Sequence, residues 1–288
     1  MTEPTLLVMG ANGMLGHVVL RWFASRGTHR VVGTVRNDAA AAPLRAQMPH
    51  AELRTGVDAT NLRGLRALFD AIKPSAVINC VGMVKQLAGA DSPATAIPVN
   101  AMLPHRLSRL CGDAGVRLVH ISTDCVFSGS RGRYTEADTP DAEDLYGRTK
   151  LMGEVEAPHA VTLRTSIIGP ELNTTHALLG WFLASKGTVP GFSNAIFSAL
   201  PTVELARVID EHVLANPALQ GIYHVVGPSI NKCDLLRLVA KVYRSDTRVS
   251  EEPNPVVDRS LDGRRFEAAT GYRSADWPEL LEGMRAFS

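Results

Sequence analysis

Apolar positions along the first half of the chain follow two rhythms. Thr5-Leu6-Leu7-Val8-Met9, Arg30-Val31-Val32-Gly33-Thr34-Val35, Ala76-Val77-Ile78-Asn79-Cys80, Arg117-Leu118-Val119-His120-Ile121-Ser122 and Ala160-Val161-Thr162-Leu163-Arg164 are short, mostly continuous apolar runs. A strand covered on both faces has no polar side, so runs of this kind predict a parallel sheet between helical layers. Between them the apolar pairs Met14-Leu15, Val18-Val19 and Trp22-Phe23 recur every four residues, and Leu65, Leu68, Phe69 and Ile72 repeat at helical spacing. These are amphipathic helices. Glu52–Val57 reads as a third strand-like run and Tyr146–Glu156 as a further helix. Strands alternating with helices predict an α/β fold, a doubly wound parallel sheet.

After about Ile168 the rhythm changes. Pro170, Pro190, Pro201, Pro217, Pro228, Pro253 and Pro255 punctuate shorter elements. Two helices stand out, Val203–Leu214 and Asp234–Tyr243, with a strand over Gly221–Val226 between them. The expected division is a nucleotide-binding sheet domain over residues 1–168 and a small substrate-binding domain over 169–288. Residues 203–226 are expected to return to the first domain.

Composition narrows the function classes. The chain has 288 residues, 45% of them hydrophobic, and such a length buries enough surface to need no disulfide staples. Lys+Arg 30 against Asp+Glu 29 leaves a net charge of +1, which gives no electrostatic argument for nucleic acid or an anionic membrane. No apolar run approaches a membrane span, and the opening Met-Thr-Glu-Pro lacks the basic region of a signal peptide. Cys80, Cys111, Cys125 and Cys233 are scattered without metal spacing, as expected of free thiols in a reducing cytoplasm. His17, His120 and His224 lie in or beside apolar runs without ligand-spaced partners, so they read as packed side chains and no metal is expected.

The chemistry starts at Gly10-Ala11-Asn12-Gly13-Met14-Leu15-Gly16, between the first strand and the first helix. Glycines there allow a tight turn, close backbone approach to a pyrophosphate and close helix–strand packing, and the helix N-terminus supplies N–H donors. This is a Rossmann-type dinucleotide loop. The second strand ends on Thr34 and Arg36 rather than an acidic residue that would bond a ribose 2′-hydroxyl. An arginine there pairs with a 2′-phosphate, which favours NADP(H), with NAD(H) as the alternative. Asp58 either accepts from the adenine amino group or caps the helix that follows it.

Ser122-Thr123-Asp124 ends another strand, and Tyr146-Gly147-Arg148-Thr149-Lys150 follows. Tyr146 and Lys150, four residues apart, share one helix face. An ammonium beside a phenol is expected to draw its pKa down, so that Tyr146 can give a proton to a carbonyl oxygen as hydride reaches the carbon. Thr123 can hold that oxygen. Cys125, two residues beyond Thr123 on what reads as an extended segment, is expected on the same face, with Asp124 turned away.

At these residues the sequence resembles the extended short-chain dehydrogenase/reductases, and more narrowly the dTDP-4-dehydrorhamnose reductase branch. The matching segments are Gly10–Gly16, Ile78–Gly82, Val99-Asn100, Ile121–Gly129, Tyr146–Glu154 and Arg164-Thr165-Ser166. The resemblance implies an NAD(P)H-dependent reductase of the 4-keto group of a nucleotide-diphospho-deoxysugar, with Thr123, Tyr146 and Lys150 as its catalytic set. It also implies that Lys150 holds the nicotinamide ribose, that Cys80, Val81 and Gly82 line the cofactor, and that Asn100 orders water near the lysine.

The sequence departs from that branch at Cys125, where a tyrosine is usual. GDP-fucose synthase, which epimerises and reduces, carries a Cys at the same offset, so a bifunctional epimerase/reductase using Cys125 and His176 is one rival reading. A non-catalytic NADP-binding regulatory subunit is another, since the β subunit of methionine adenosyltransferase resembles the same branch. Gly191–Ser198, with Asn194, and Asp258–Phe266, with Arg259 and Arg264, are the segments expected to meet a sugar nucleotide, together with Asp124 and Cys125. Neither a nucleic-acid nor a membrane partner is expected, and a homodimer stays open.

Overall fold

The computed structural model describes residues 3–84 and 89–288; Met1 and Thr2 of the opening Met-Thr-Glu-Pro lie outside them. Along the first half run β1 (Thr5–Met9), α1 (Gly16–Arg26), β2 (Arg30–Thr34), α2 (Asp38–Gln47), β3 (Glu52–Arg54), α3 (Leu62–Ile72) and β4 (Ala76–Asn79). A helical stretch follows as α4 (Pro93–Ala96), a π-helical segment (Ile97–Met102) and α5 (Leu103–Ala114). Then come β5 (Arg117–Thr123), a 3-10 turn (Asp124–Val126), α6 (Leu145–Met152) and β6 (Ala160–Thr165).

The second half carries β7 (Ile167–Ile168), α7 (Leu178–Ala184), β8 (Thr188–Phe192), β9 (Ala195–Phe197), β10 (Leu200–Pro201) and α8 (Thr202–Val208). Helix α8 runs on as a second π-helical segment, Ile209–Leu214. It is followed by β11 (Gly221–His224), β12 (Ile230–Asn231), α9 (Lys232–Tyr243), β13 (Arg248–Glu252), β14 (Val257–Asp258), α10 (Arg264–Thr270) and α11 (Trp277–Phe287).

Seven strands form one parallel sheet in the order β11-β6-β5-β4-β1-β2-β3. The apolar runs predict this. Every residue of β1, β4 and β6 is buried, and alternate side chains feed two cores. Leu6, Val8 and Ile78 face a core that reaches α1, α8, α9 and α11, whereas Leu7, Met9 and Val77 face α3 and α5. The chain order reverses between β1 and β4, which opens a crevice at the carboxyl ends of the strands where ligands of such sheets bind. Strand β11 pairs with β6 at the sheet edge, while the other late strands form small sheets: β10 with β7, β9 between β12 and β14, and β13 with β8.

Several elements carry no strong apolar signal. Helix α2 spans Ala-rich sequence with Pro43 inside it, and only Ala41 and Leu44 are buried. It is held instead by Asn37, whose side chain accepts from the Ala40 N–H at its N-cap. Helix α6 is shorter than its periodicity suggests and ends at Gly153, where a Cβ would strike the Asn100 carbonyl.

Candidate active site

The turn after β1 brings its backbone into tight contacts that only glycine permits. Gly10 has φ +75°, and a Cβ there would lie 3.0 Å from a Val81 methyl. A Cβ on Gly16 would strike the Gly10 carbonyl, so this glycine lets α1 close on the turn. Gly10 N–H donates to Thr34 Oγ1 at 3.3 Å, Ala11 N–H to the Thr34 carbonyl at 2.9 Å and Gly13 N–H to the Gly10 carbonyl at 3.0 Å. Asn12, Gly13 and Met14 stay half-buried at the head of α1, while Leu15 packs into the core. The first amides of a helix have no acceptor within it, so this cradle fits a pyrophosphate. Val81, against Gly10, places the Cys80–Gly82 segment beside the cradle.

Thr34 spends its hydroxyl on the turn and is buried, whereas Arg36 is exposed just beyond the end of β2. Asp58 does not cap α3; Asn61 does, accepting from the Gly64 N–H at 3.1 Å. The Asp58 carboxylate instead accepts from Thr60 N–H and Thr60 Oγ1, both at 2.8 Å. Those bonds, followed by the nearby Arg36 charge, hold its pKa below the ordinary value. Asp58 lines a cavity of about 280 Å³ with Gly56, Val57 and the first turns of α3.

At the carboxyl end of β5 the structure corrects the expected extended segment. Asp124–Val126 turn into a 3-10 helix whose cap is Thr123, with Thr123 Oγ1 accepting from the Cys125 N–H at 3.1 Å. The local hydrogen bond offers the backbone an alternative to continuing the strand. Period-two alternation therefore does not apply, and Asp124 turns inward, 6% exposed, with Thr123 Oγ1 donating to it at 3.0 Å. Burial pushes the Asp124 carboxyl up, against hydrogen bonds from Thr123 and Cys125, the Arg259 charge and a hydrogen bond from Ser166. Cys125 is half-buried.

Helix α6 is set against this turn from its first residues. Asp144 caps it, accepting from the Gly147 N–H at 2.9 Å, and a Cβ on Gly147 would strike the Cys125 carbonyl. Tyr146 lies there in side-chain hydrogen-bond contact with Thr123. Lys150 is buried, and its Nζ donates to the Ile121 carbonyl at 2.7 Å. The expected effect of lysine on phenol is not what this geometry gives. Burial, then Cys125, Asp124 and Asp144, push the Tyr146 phenol up, opposed by Thr123. Burial pushes Lys150 down to about 8, with Glu154 and Cys80 drawing it back. Asn100 is committed elsewhere: its Oδ1 accepts from Met83 N–H at 2.8 Å, and its Nδ2 donates to the Met83 carbonyl at 3.0 Å and to Thr149 Oγ1 at 3.2 Å.

Behind these residues stands a polar cluster that sequence reasoning did not single out. Glu154 and Arg164, with side chains 5% and 4% exposed, form a two-pronged ion pair at 2.8 and 2.7 Å. Ser122 Oγ donates to Glu154 at 2.7 Å. Arg164 also donates to His224 Nε2 at 3.4 Å, while His224 Nδ1 faces the Tyr134 carbonyl at 3.1 Å. Burial and Arg164 press His224 down to about 4, so it is neutral. The arginine lies 5.3 Å from the centre of the Phe127 ring, which stacks on Tyr134 at 4.2 Å. The available signal was a charged residue, Arg164, inside an apolar strand run, and a glutamate four residues past Lys150.

The substrate candidates separate. Arg259 is half-buried, donates through Nε to the Phe127 carbonyl at 3.0 Å and reaches Asp124 electrostatically. Arg264 is exposed and paired with Asp262 at 2.7 Å, on a cavity of about 270 Å³ with Arg133, Ser229 and Leu261. Asn194 sits in the turn between β8 and β9 and donates to the Pro253 carbonyl at 3.0 Å. His176 is exposed ahead of α7. Among the described residues no three His, Cys, Asp or Glu side chains gather as a metal site, and no helix is long and apolar enough to cross a membrane.

A Gly-rich turn at the crevice of a doubly wound parallel sheet is a dinucleotide site, and the chain's reductase relatives make it an NAD(P)-dependent oxidoreductase. The family described as RmlD substrate binding domain matches residues 4–279, and the chain belongs to it. It is 31% identical over 258 residues to a Haloferax volcanii protein named "Probable low-salt glycan biosynthesis reductase", covering 85% of this chain and 82% of that one. It is 26% identical to the methionine adenosyltransferase 2 subunit beta of Xenopus tropicalis, covering 96% and 88%. The fold matches a dTDP-4-dehydrorhamnose reductase from Bacillus anthracis, solved with NADP, at TM-score 0.82 and 18% identity over 100% of both chains.

The buried pair generates a stability prediction. Arg164→Met leaves the Glu154 carboxylate buried and uncompensated, and urea unfolding should show a loss of about 3–5 kcal/mol. A loss below about 1 kcal/mol, the scale of an exposed pair, would remove the cluster from the role given to it.

Proposed function

We propose that the chain reduces the 4-keto group of a nucleotide-diphospho-deoxysugar with NADPH. The observation that carries this reading is the contact of the Tyr146 hydroxyl with Thr123 on the helix that also presents Lys150, at the strand ends beside the glycine cradle. Gly10–Gly16 would hold NADPH, which would supply the hydride; Arg36 and Asp58 would meet its adenosine end, and Cys80, Val81 and Gly82 would line its site. Thr123 positions the keto oxygen, Tyr146 donates the proton to it, and Lys150 supplies positive charge as the phenolate forms. A phenol pushed up by burial holds its proton until a developing alkoxide takes it. Asp124 and Arg259, which interact electrostatically at the turn, are the proposed sugar and phosphate contacts.

The likeness to a methionine adenosyltransferase subunit favours a second reading, a regulatory NADP-binding subunit. NADPH oxidation with a panel of 4-keto-deoxysugar nucleotides separates the two: turnover supports the reductase, and none across the panel supports the subunit.

Four outcomes follow from the proposed roles. Arg36→Ala should weaken NADPH binding by about 1.5–3 kcal/mol while NADH binding hardly changes; equal losses in titration calorimetry would sink the 2′-phosphate contact. Tyr146→Phe should fold and bind NADPH yet reduce roughly 100-fold more slowly. In the unaltered protein the rate should fall as pH rises through about 8, where Lys150 gives up its ammonium proton. A flat profile there, or near-normal turnover of the Phe variant, would refute the assignment. Finally, reduction should proceed without inversion at C3 or C5. The Cys125 side chain hydrogen-bonds the Asp124 carboxyl, and negative charge there opposes formation of a thiolate. Reaction in deuterated water checks this: deuterium at those carbons that vanishes in Cys125→Ser, with hydride transfer kept, would instead establish an epimerase/reductase.

A further inference from the structure

Three groups compete for the Thr123 hydroxyl at the turn after β5. It accepts from the Cys125 N–H at 3.1 Å, bonds the Asp124 carboxyl at 3.0 Å and meets the Tyr146 hydroxyl. A hydroxyl has one proton and two lone pairs. The Cys125 amide only donates, so it occupies one lone pair whatever the state of the other two groups. Asp124 decides how the proton and the second lone pair are divided.

An ionised Asp124 only accepts, so it draws the Thr123 proton onto Oδ1. The second lone pair then takes the Tyr146 proton, and both protons point away from an incoming substrate. A protonated Asp124 reverses the chain. Its O–H donates to Thr123 Oγ1 and fills the second lone pair, so the Thr123 proton swings outward and Tyr146 no longer donates to Thr123. The surroundings favour that acid form. Asp124 is buried, bonded by Thr123 and Cys125 of the turn and Ser166 after β6, and faced by Arg259 after β14 and Tyr146 of α6. Arg259 is the cation of this set, and burial outweighs it, carrying the carboxyl above its ordinary range.

We propose that Asp124 works as a carboxylic acid during reduction, donating to Thr123 Oγ1 so that Thr123 and Tyr146 both direct their protons at the keto oxygen. This rests on the reductase reading and goes beyond the sugar contact proposed for Asp124. As the carbon is reduced by hydride, the C=O bond becomes a C–O bond and its oxygen takes the Tyr146 proton. Thr123 keeps its own proton and only hydrogen-bonds that oxygen. Asp124 also keeps its proton throughout and acts through Thr123, which makes it a positioning residue.

Infrared difference spectra of the full chain against Asp124→Asn need no substrate. They should show a carboxylic-acid carbonyl stretch that titrates away with a midpoint above the ordinary carboxylate range. A midpoint within that range overturns the proposal. With NADPH and a reducible 4-keto-deoxysugar nucleotide, the single-turnover rate should fall roughly tenfold through the same midpoint, the scale of one hydrogen bond. That step is separate from the one at about pH 8 that belongs to Lys150. Asp124→Asn should abolish the first step and keep the second. Ser166→Ala removes a hydrogen bond that favours the charged carboxyl, so the infrared and kinetic midpoints should rise together. A residue that merely braces the turn would move neither. A first step that survives in the Asn variant, or midpoints that part company in Ser166→Ala, overturns the proposal. An inert wild-type chain that still shows the stretch overturns the reductase reading and upholds the acid at the turn.

Discussion

A carboxylate and a guanidinium removed from water together hold this site in place. Each of Glu154 and Arg164 would be prohibitively costly to bury alone, and their two-pronged geometry, with Ser122 on one oxygen, makes burial tolerable. The pair joins the turn after α6 to β6 and, through Ser122, to the end of β5. Thr123 is the next residue along β5, and Lys150 is one helical turn before Glu154. Distances between the reacting side chains are therefore set by an ion pair that touches none of them. Arg164 extends the same constraint to His224 on β11 and to the Phe127 ring beyond the 3-10 turn.

The same burial governs the electrostatics. Tyr146 and Lys150 are pushed in opposite directions, the phenol up and the ammonium down, because each charged form is disfavoured away from water. The lysine directs its proton at the Ile121 carbonyl. Glu154, itself neutralised by Arg164, moderates the drop in Lys150. Asn100 adds a mechanical link: one amide ties the Met83 backbone on the cofactor side to Thr149 on the helix that carries both Tyr146 and Lys150.

How much of this was legible depended on what burial does to a sequence. β1, β2, β4, β5 and β6 declare themselves because strands covered on both faces are apolar throughout. Helix α2 stayed hidden because alanines carry little periodic signal, and α10 and α11 because Pro- and Gly-rich sequence surrounds them. The glycine cradle and the Tyr146/Lys150 spacing were readable, being local. The course of Asp124 and Cys125 was not, because a single hydroxyl-to-amide bond from Thr123 decides between strand and turn. Glu154, Arg164 and His224 meet only in three dimensions, and nothing in their spacing announces a shared cluster.

The place of β11 has a consequence for biogenesis. It is the last strand of the seven-stranded sheet in sequence, yet it covers the open side of β6, and the chain between them runs from residue 166 to residue 220 (β6 Ala160–Thr165, β11 Gly221–His224). Until Gly221–His224 have been made, β6 stands as a bare edge strand and Arg164 lacks the imidazole that abuts it. An unpaired apolar edge of this kind is a template for association with other chains. The polypeptide emerging from the ribosome thus has six strands of its sheet available before the seventh can seal it, and late pairing at β11 is where chaperone protection would matter most.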